Sequence, residues 1–376
     1  MSRPFGRSLD PLPEEDLGGY LLRLAAHLCM PPVTLARRLG LVNNLGPQVV
    51  RKLLIPGDVD ELAILARLTR EEARALTLNE WEDRYPPIAT ALAGAYHMNR
   101  SYYGDGVRYW LYAATPRRCP SCLAGNGSEI QRQYGGAWRK AWRLPLAFAC
   151  VAHRLFLAEE CQTPHAEQLG APLLIPNASI SGLHPAQCRL PRRGQYGHGS
   201  QPCGSRLDRL PDSVAIRPGR NHLEAQQRIL HHLRAESDPS DATRYFADIA
   251  LVTTFLNVLP SNRWDEIGTV VGAAIADTIT RYEPPYRSTF DRPPRDVLST
   301  ATMLTAVTTI LNSTDQQAEL ARLAYQSAGH PLRLRALKKI WIRYARTCSP
   351  TLNTSLNMAW QHAERATRVA VKTLPP

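Results

Sequence analysis

The sequence is short of acid, of long apolar runs and of catalytic signatures. Asp and Glu number 33 against 45 Lys and Arg, which leaves a formal net charge of +12. The uncharged run Leu298 to Thr314 is laden with Ser, Thr and Asn, too short and too wet to span a bilayer. No apolar segment of signal-peptide type follows Met1, so secretion is not expected and the cytoplasm is the expected compartment. There is no phosphate loop, no HExxH, no nucleophile triad and no carboxylate pair, and this points away from an enzyme. Internal repeats are also absent. With 44% apolar and 21% charged residues, wholesale disorder and fibrous folds are excluded. A length of 376 residues predicts two to three domains at roughly 150 residues each.

What is present is unevenly placed. Residues 116–210 hold 12 basic and 5 acidic side chains, and residues 331–376 hold 9 and 1, so the basic excess sits in two segments. Such clustering implies a polyanion or an acidic partner. Eight cysteines in a reducing compartment read as metal ligands before disulfides, and six of them fall between Cys119 and Cys203. The outliers Cys29 and Cys348 lie in helical patterns and are expected to be buried as small apolar residues.

A mainly α fold in three parts is predicted. Residues 1–115 read as a helix-turn-helix-like domain of short helices. Leu17, Tyr20, Leu21, Leu24 and Leu28 recur at helical spacing after Glu14, Glu15 and Asp16, acids suited to a helix N-terminus. Pro31 and Pro32 end that helix, Val33 to Leu39 forms a second with Gly40 as its C-cap, and Pro47 opens another. Asp58 to Leu68 makes a further helix, and Thr69 with Glu72 is a capping box ahead of Ala73 to Leu76. Arg37 and Arg38 are candidate nucleic-acid or partner contacts in this part. An aromatic stretch including Tyr102, Tyr103, Tyr109, Trp110 and Tyr112 follows. Residues 116–210 read as a zinc-ribbon region of short strands and loops, rich in Gly, Pro and Ser beyond residue 162. Residues 211–376 form a C-terminal helical domain, with helices expected at about 222–235, 241–257, 264–281, 294–312 and 316–327 and Asn221 as an N-cap.

The chemistry sits in the middle part. Cys119-Pro120-Ser121-Cys122 and Cys150-Val151-Ala152-His153 are two knuckles whose two-residue gaps let both side chains of each reach one tetrahedral zinc. Four protein ligands leave no open position, so this zinc is expected to be structural. A second, looser set is Cys161, His165, Cys188 and Cys203, with His184 and His198 competing for the nitrogen position. Gly204 after Cys203 permits the tight turn a knuckle needs. A metal there supplies stability that a loop-rich segment lacks. Trp138 and Trp142, at i and i+4, are expected to share a helix face and pack beside the first knuckle rather than stack on bases. Arg139, Lys140 and Arg143 on the same short helix are candidates to face a phosphate, although a solvated face explains them too.

The last basic segment has helix-turn-helix spacing: Glu319 to Gln326, a turn at Ser327 to Pro331, then Leu332 to Arg346. Leu334, Leu337, Trp341 and Tyr344 would face inward, leaving Arg335, Lys338, Lys339, Arg343 and Arg346 for a phosphate backbone or an acidic protein.

Taken as an ordered series, Arg118-Cys119-Pro120-Ser121-Cys122-Leu123-Ala124, Trp138 to Leu146, Cys150-Val151-Ala152-His153-Arg154-Leu155 and Glu160-Cys161 resemble the TniQ/TnsD family of transposition proteins. Pro11 to Glu15 leading to Tyr20 through Ala25 is similar to that family's N-terminus, as is Leu68-Thr69 to Thr77-Leu78. The resemblance spans about residues 8–208. It implies a non-catalytic target selector that brings a transposon's regulator ATPase and transposase to a chosen DNA site. Such a protein binds that site directly or by docking on a CRISPR RNA-guided complex, and a homodimer is an allowed state. The family's first zinc ligands map onto Cys119, Cys122, Cys150 and His153. Its second site has two C-x-x-C knuckles, which here become Cys161-x-x-x-His165 and a pair split by the insert Arg189 to Pro202. Residues 211–376 match no motif of the family. The alternatives are a zinc-containing helix-turn-helix transcriptional regulator and a zinc hydrolase, in which Asp208 or a spare His would join an open metal position.

Overall fold

The structure is a computed structural model; it describes residues 3–41, 58–92, 110–113, 117–159, 161, 182–189, 201–209, 217–258, 292–315, 318, 341–342 and 345–372. The helices expected to open at Pro47 and to span 264–281, most of the aromatic stretch, and nearly all of the helix-turn-helix at 319–346 lie outside these residues. The chain is mainly α, and the described residues contain one two-stranded sheet. It divides into two compact units. The first comprises Met1–Glu82, Ile88–Tyr96 and Tyr112–Pro218, and the second Asp83–Pro87, His97–Leu111 and Gly219–Pro376.

In the first unit, α1 (Leu17–His27) starts where Asp16 accepts a hydrogen bond from the Gly19 N–H, satisfying one of the free amides of the first turn. It ends before the prolines: Cys29 takes a left-handed conformation (φ 52°), and Pro32 serves as the first residue of α2 (Pro32–Arg38). The Cys29 side chain is exposed, contrary to the expectation of burial, because this turn carries it off the packed face. α3 (Asp60–Ala66) stops at Arg67, also left-handed, and α4 (Arg70–Ala75) begins with the expected capping box in full. A 3-10 turn, Leu78–Trp81, follows. Leu17, Tyr20, Leu21, Leu24, Val33, Leu35, Leu62, Leu65 and Leu76 make one apolar core, the burial of which drives these short helices together. α5 (Pro86–Leu92), whose first two residues are assigned to the second unit, comes next, then α6 (Pro120–Ala124), α7 (Glu129–Tyr134), and the hairpin of β1 (Ala149–Cys150) and β2 (Leu155–Phe156).

The second unit contains α8 (Arg220–His232), α9 (Pro239–Val258), α10 (Val297–Leu311) and α11 (Pro350–Lys372). Gly219, not Asn221, stands at the N-cap of α8, so that helix starts two residues earlier than predicted. α10 packs on both α8 and α9. Its face is not amphipathic: Thr300, Thr302, Thr305 and Thr308 are buried along with Leu304 and Val307. Hydroxyls that bond back to carbonyls of the helix, such as Thr300 Oγ1 to Asp296 O (2.7 Å) and Thr308 Oγ1 to Thr305 O (3.0 Å), let a threonine-rich helix sit inside a core. Cys348 is buried, as expected. Arg346 is exposed in the turn before α11 rather than on a helix.

Candidate metal centres

The first knuckle is an N-terminal helix turn. Cys119 stands at the N-cap of α6 and Pro120 at its first position, so one turn carries both Cys119 and Cys122 inward. The second knuckle is the β1–β2 turn, in which Ala149 pairs with Phe156 and Cys150 with Leu155, and Arg154 closes the turn at φ 52°. Continuing the second strand, Ala158 forms a bridge with Arg118 (N···O 3.0 and 2.7 Å), and this sets the hairpin beside the residue that precedes Cys119. The chain returning from α7 crosses directly over the first knuckle at Gly136, whose N–H donates to Leu123 O at 2.8 Å. A Cβ at that position would lie 1.9 Å from the Cys122 carbonyl oxygen.

Cys119, Cys122, Cys150 and His153 thus converge, with all four ligand atoms within 4.8 Å of one another. His153 Nδ1 lies 3.5, 3.3 and 3.4 Å from the sulfurs of Cys119, Cys122 and Cys150, and Cys122 and Cys150 are 3.6 Å apart. A tetrahedron with metal–sulfur bonds of about 2.3 Å and a metal–nitrogen bond of about 2.0 Å has edges of about 3.5 to 3.8 Å, so this donor set fits one four-coordinate ion. The three cysteines are buried and His153 is exposed. Without an ion the thiols share protons: hydrogen bonds from Cys119 and Cys122 favour the Cys150 thiolate, whereas hydrogen bonds with Cys119 and Cys150 push Cys122 up.

The second set is a looser version of the same device. Cys161, Cys188 and Cys203 present sulfurs within 4.8 Å of one another, with Cys161 and Cys203 3.8 Å apart. Cys188 N–H donates to Ser205 O (2.8 Å) and Gly204 N–H to Cys188 O (2.9 Å), which holds two distant cysteines side by side. Gly204, at φ 74°, makes the turn that the sequence led us to expect. His165 and His198 lie outside the described residues. His184 does not join the three thiols; its Nδ1 accepts from Ala186 N–H at 3.1 Å. Asp208, the carboxylate a hydrolase would need, is bound by Arg206 through both oxygens.

The residues between the ligands do something other than expected. Trp138 precedes the 3-10 turn Lys140–Arg143, so Trp138 and Trp142 do not share one helix. They are nonetheless both buried, edge to face at 6.5 Å, and Trp138 donates to Pro185 O. Lys140 is 4% exposed and its ammonium is bound by Glu80 and Ala75 O. Arg143 is buried against Asp16, and Arg139 pairs with Glu14 at 2.5 Å. Each of the three cations is thus paired with an acid of the N-terminal part: Arg139 with Glu14, Lys140 with Glu80 and Arg143 with Asp16. The backbone adds Asp16 N–H to Trp138 O (2.7 Å) and Lys140 N–H to Glu14 O (2.9 Å). Sequence reasoning missed this seam; its signal was the matched count of acids at Glu14, Asp16 and Glu80 against cations at 139, 140 and 143. Of the other basic candidates, Arg37 and Arg38 are exposed on the last turn of α2, and Arg335, Lys338, Lys339 and Arg343 lie outside the described residues.

Short helices and a two-residue hairpin thus bring together a Cys3His group that could hold one metal ion, and the cations at 139, 140 and 143 beside it are paired with acids. Residues 7–157 match the TniQ family model, so this part of the chain is similar to a TniQ domain, a likeness that implies a transposition-associated, DNA-targeting role. The match takes in the N-terminal helices and every ligand of the first centre, and it ends before Cys161. No curated protein and no solved structure matches the chain. Among the described residues, no helix is long and apolar enough to cross a membrane.

Proposed function

We propose that this chain selects the target site of a DNA transposon, linking target DNA or an RNA-guided complex to the regulator ATPase and transposase, with no catalytic turnover of its own. The observation that carries the reading is the TniQ match over residues 7–157, which encloses a complete four-ligand centre. The ion is zinc, held by Cys119, Cys122, Cys150 and His153. Cys161, Cys188 and Cys203 hold a second with one further ligand, for which His165 is the candidate. When bound, each ion supplies cross-linking of loops and no reactive position, because protein ligands fill the tetrahedron. Arg37 and Arg38 supply exposed positive charge in the first unit, and the sequence segment with Arg335, Lys338, Lys339, Arg343 and Arg346 is the second basic candidate for DNA or an acidic partner.

Co-purification tests this directly. The purified chain should retain the ATP-loaded regulator ATPase encoded beside it when target DNA or the RNA-guided complex is supplied. Binding to a promoter fragment with no retention of the ATPase under any of these conditions would replace target selection with transcriptional regulation.

A further inference from the structure

The turn beside the second cysteine set carries hydrogen-bond donors without an acceptor among the described residues. Arg189 is 5% exposed; its Nη2 donates to Leu183 O at 3.1 Å, while Nε and Nη1 are buried without an acceptor. No carboxylate among the described residues pairs with it. Among the described residues of 182–189 and 201–209 the one acid is Asp208, and Arg206 occupies it. Gln187 is also spent, since its Oε1 accepts from His184 N–H and its Nε2 donates to Gly204 O.

The imidazole on the same turn has the same deficit. Because His184 Nδ1 accepts from Ala186 N–H, the proton of the neutral ring sits on Nε2, and that N–H is buried with no acceptor. Leu183 O belongs to the peptide leading into His184, so the guanidinium and the imidazole are anchored at one point of the chain. A buried guanidinium without a counter-charge is strongly unfavourable, and a buried N–H without an acceptor adds to the deficit. One compact anion with several oxygens would relieve both.

We propose that Arg189 and His184 bind a phosphate-type oxyanion. Guanidinium is the side chain best suited to phosphate, and a neutral imidazole N–H adds a donor without needing protonation. The group has two sources, free inorganic phosphate or a phosphodiester of bound DNA, and the chemistry at the turn is the same for both.

The test uses the full-length, metal-loaded chain. Hydrogen exchange is followed at residues 183–189 in chloride, acetate, inorganic phosphate and a short DNA duplex at matched ionic strength, and melting is recorded for wild type and R189Q. Phosphate should slow exchange at 183–189 several-fold and raise the melting temperature of wild type but not of R189Q. If DNA is the source, the duplex protects the same amides and phosphate competes it off; if free phosphate is the source, the duplex leaves them unprotected. Metal content is measured for R189Q because Arg189 adjoins Cys188; should that variant fail to fold or to hold metal, the wild-type exchange data decide alone. Protection by acetate equal to that by phosphate, a phosphate response retained in folded R189Q, or no protection of wild type by any anion would each overturn the site.

Discussion

Two single residues, one far from the cysteine sets and one directly over the first knuckle, show how close packing carries energetic consequences. Asp248 of α9 is 6% exposed and accepts from Ser349 N–H at 2.8 Å, just ahead of α11. Burial outweighs its hydrogen bonds with Ser349 and pushes its carboxyl up to about 6 from an ordinary 3.8. The folded protein therefore holds this proton more tightly than the unfolded chain. The resulting stabilisation is complete below about pH 4 and lost as the pH rises through about 6, a swing on the order of 3 kcal/mol. D248N keeps an oxygen for Ser349 and carries no charge. Its melting temperature should exceed that of wild type above pH 7, with the gap closing by pH 4; a gap independent of pH would mean that Asp248 is not the source. Gly136 makes the complementary case by shape. A methyl there meets the Cys122 carbonyl oxygen at 1.9 Å, so G136A must push the returning strand off the first knuckle. Metal competition should show it weakened by about tenfold or more, within the range for loss of a ligand's supporting shell. Unchanged affinity would show that the knuckle yields.

Among the elements, the seam between α1 and the segment 138–143 does the most. Asp16 has two jobs: Oδ1 caps α1 and Oδ2 neutralises the buried Arg143. Removing a cap costs about 1 kcal/mol, whereas leaving a buried cation unpaired costs about 3 to 5 kcal/mol. D16A should therefore be several times more destabilising than T69A, which loses the exposed cap of α4. D16N, which restores a cap oxygen but not the charge, should fall between them by chemical denaturation. Wild-type stability in D16N would mean that the ion pair contributes nothing. This seam also shows what could be read from the chain. Helix starts at Asp16 and Thr69 and the break at Pro31 and Pro32 were legible because caps and prolines act through neighbours in sequence, although the second helix opens at Pro32 itself rather than Val33. The Cys119, Cys122, Cys150 and His153 set was legible because ligand spacing within each knuckle is local. The partners of Lys140 and Arg143 lie 60 and 127 positions away, so the same basic residues read as a phosphate-facing surface until the fold supplied the acids. The extended run at Trp138 and the exposure of Cys29 were hidden for a related reason: helical periodicity does not reveal where a turn interrupts it.

On the scale of the whole molecule, both cysteine sets belong to the first unit, and the described residues of the second contain no comparable group. The two units should respond differently to loss of metal. The second rests on an apolar core that includes Ala225, Ile229, Phe246, Leu251, Val252, Leu304 and Val307. In the first, the N-terminal helices own a core of their own, yet α1 is pinned to 138–143, and that segment lies between a one-turn helical knuckle and a hairpin whose strands are two residues long. A two-residue hairpin is not stable by itself, so metal-binding energy there is also folding energy. Chelation of the wild type, or the C119S substitution, should release one ion from the first centre and abolish exchange protection across 119–157. Protection in α1 should fall with it, through the lost seam, while α9 and α10 keep theirs. Hydrogen exchange read segment by segment distinguishes the outcomes. Full metal content and unchanged protection in C119S would show that the Cys3His set holds no structural ion, and loss of protection in α9 and α10 as well would show that the second unit depends on the first.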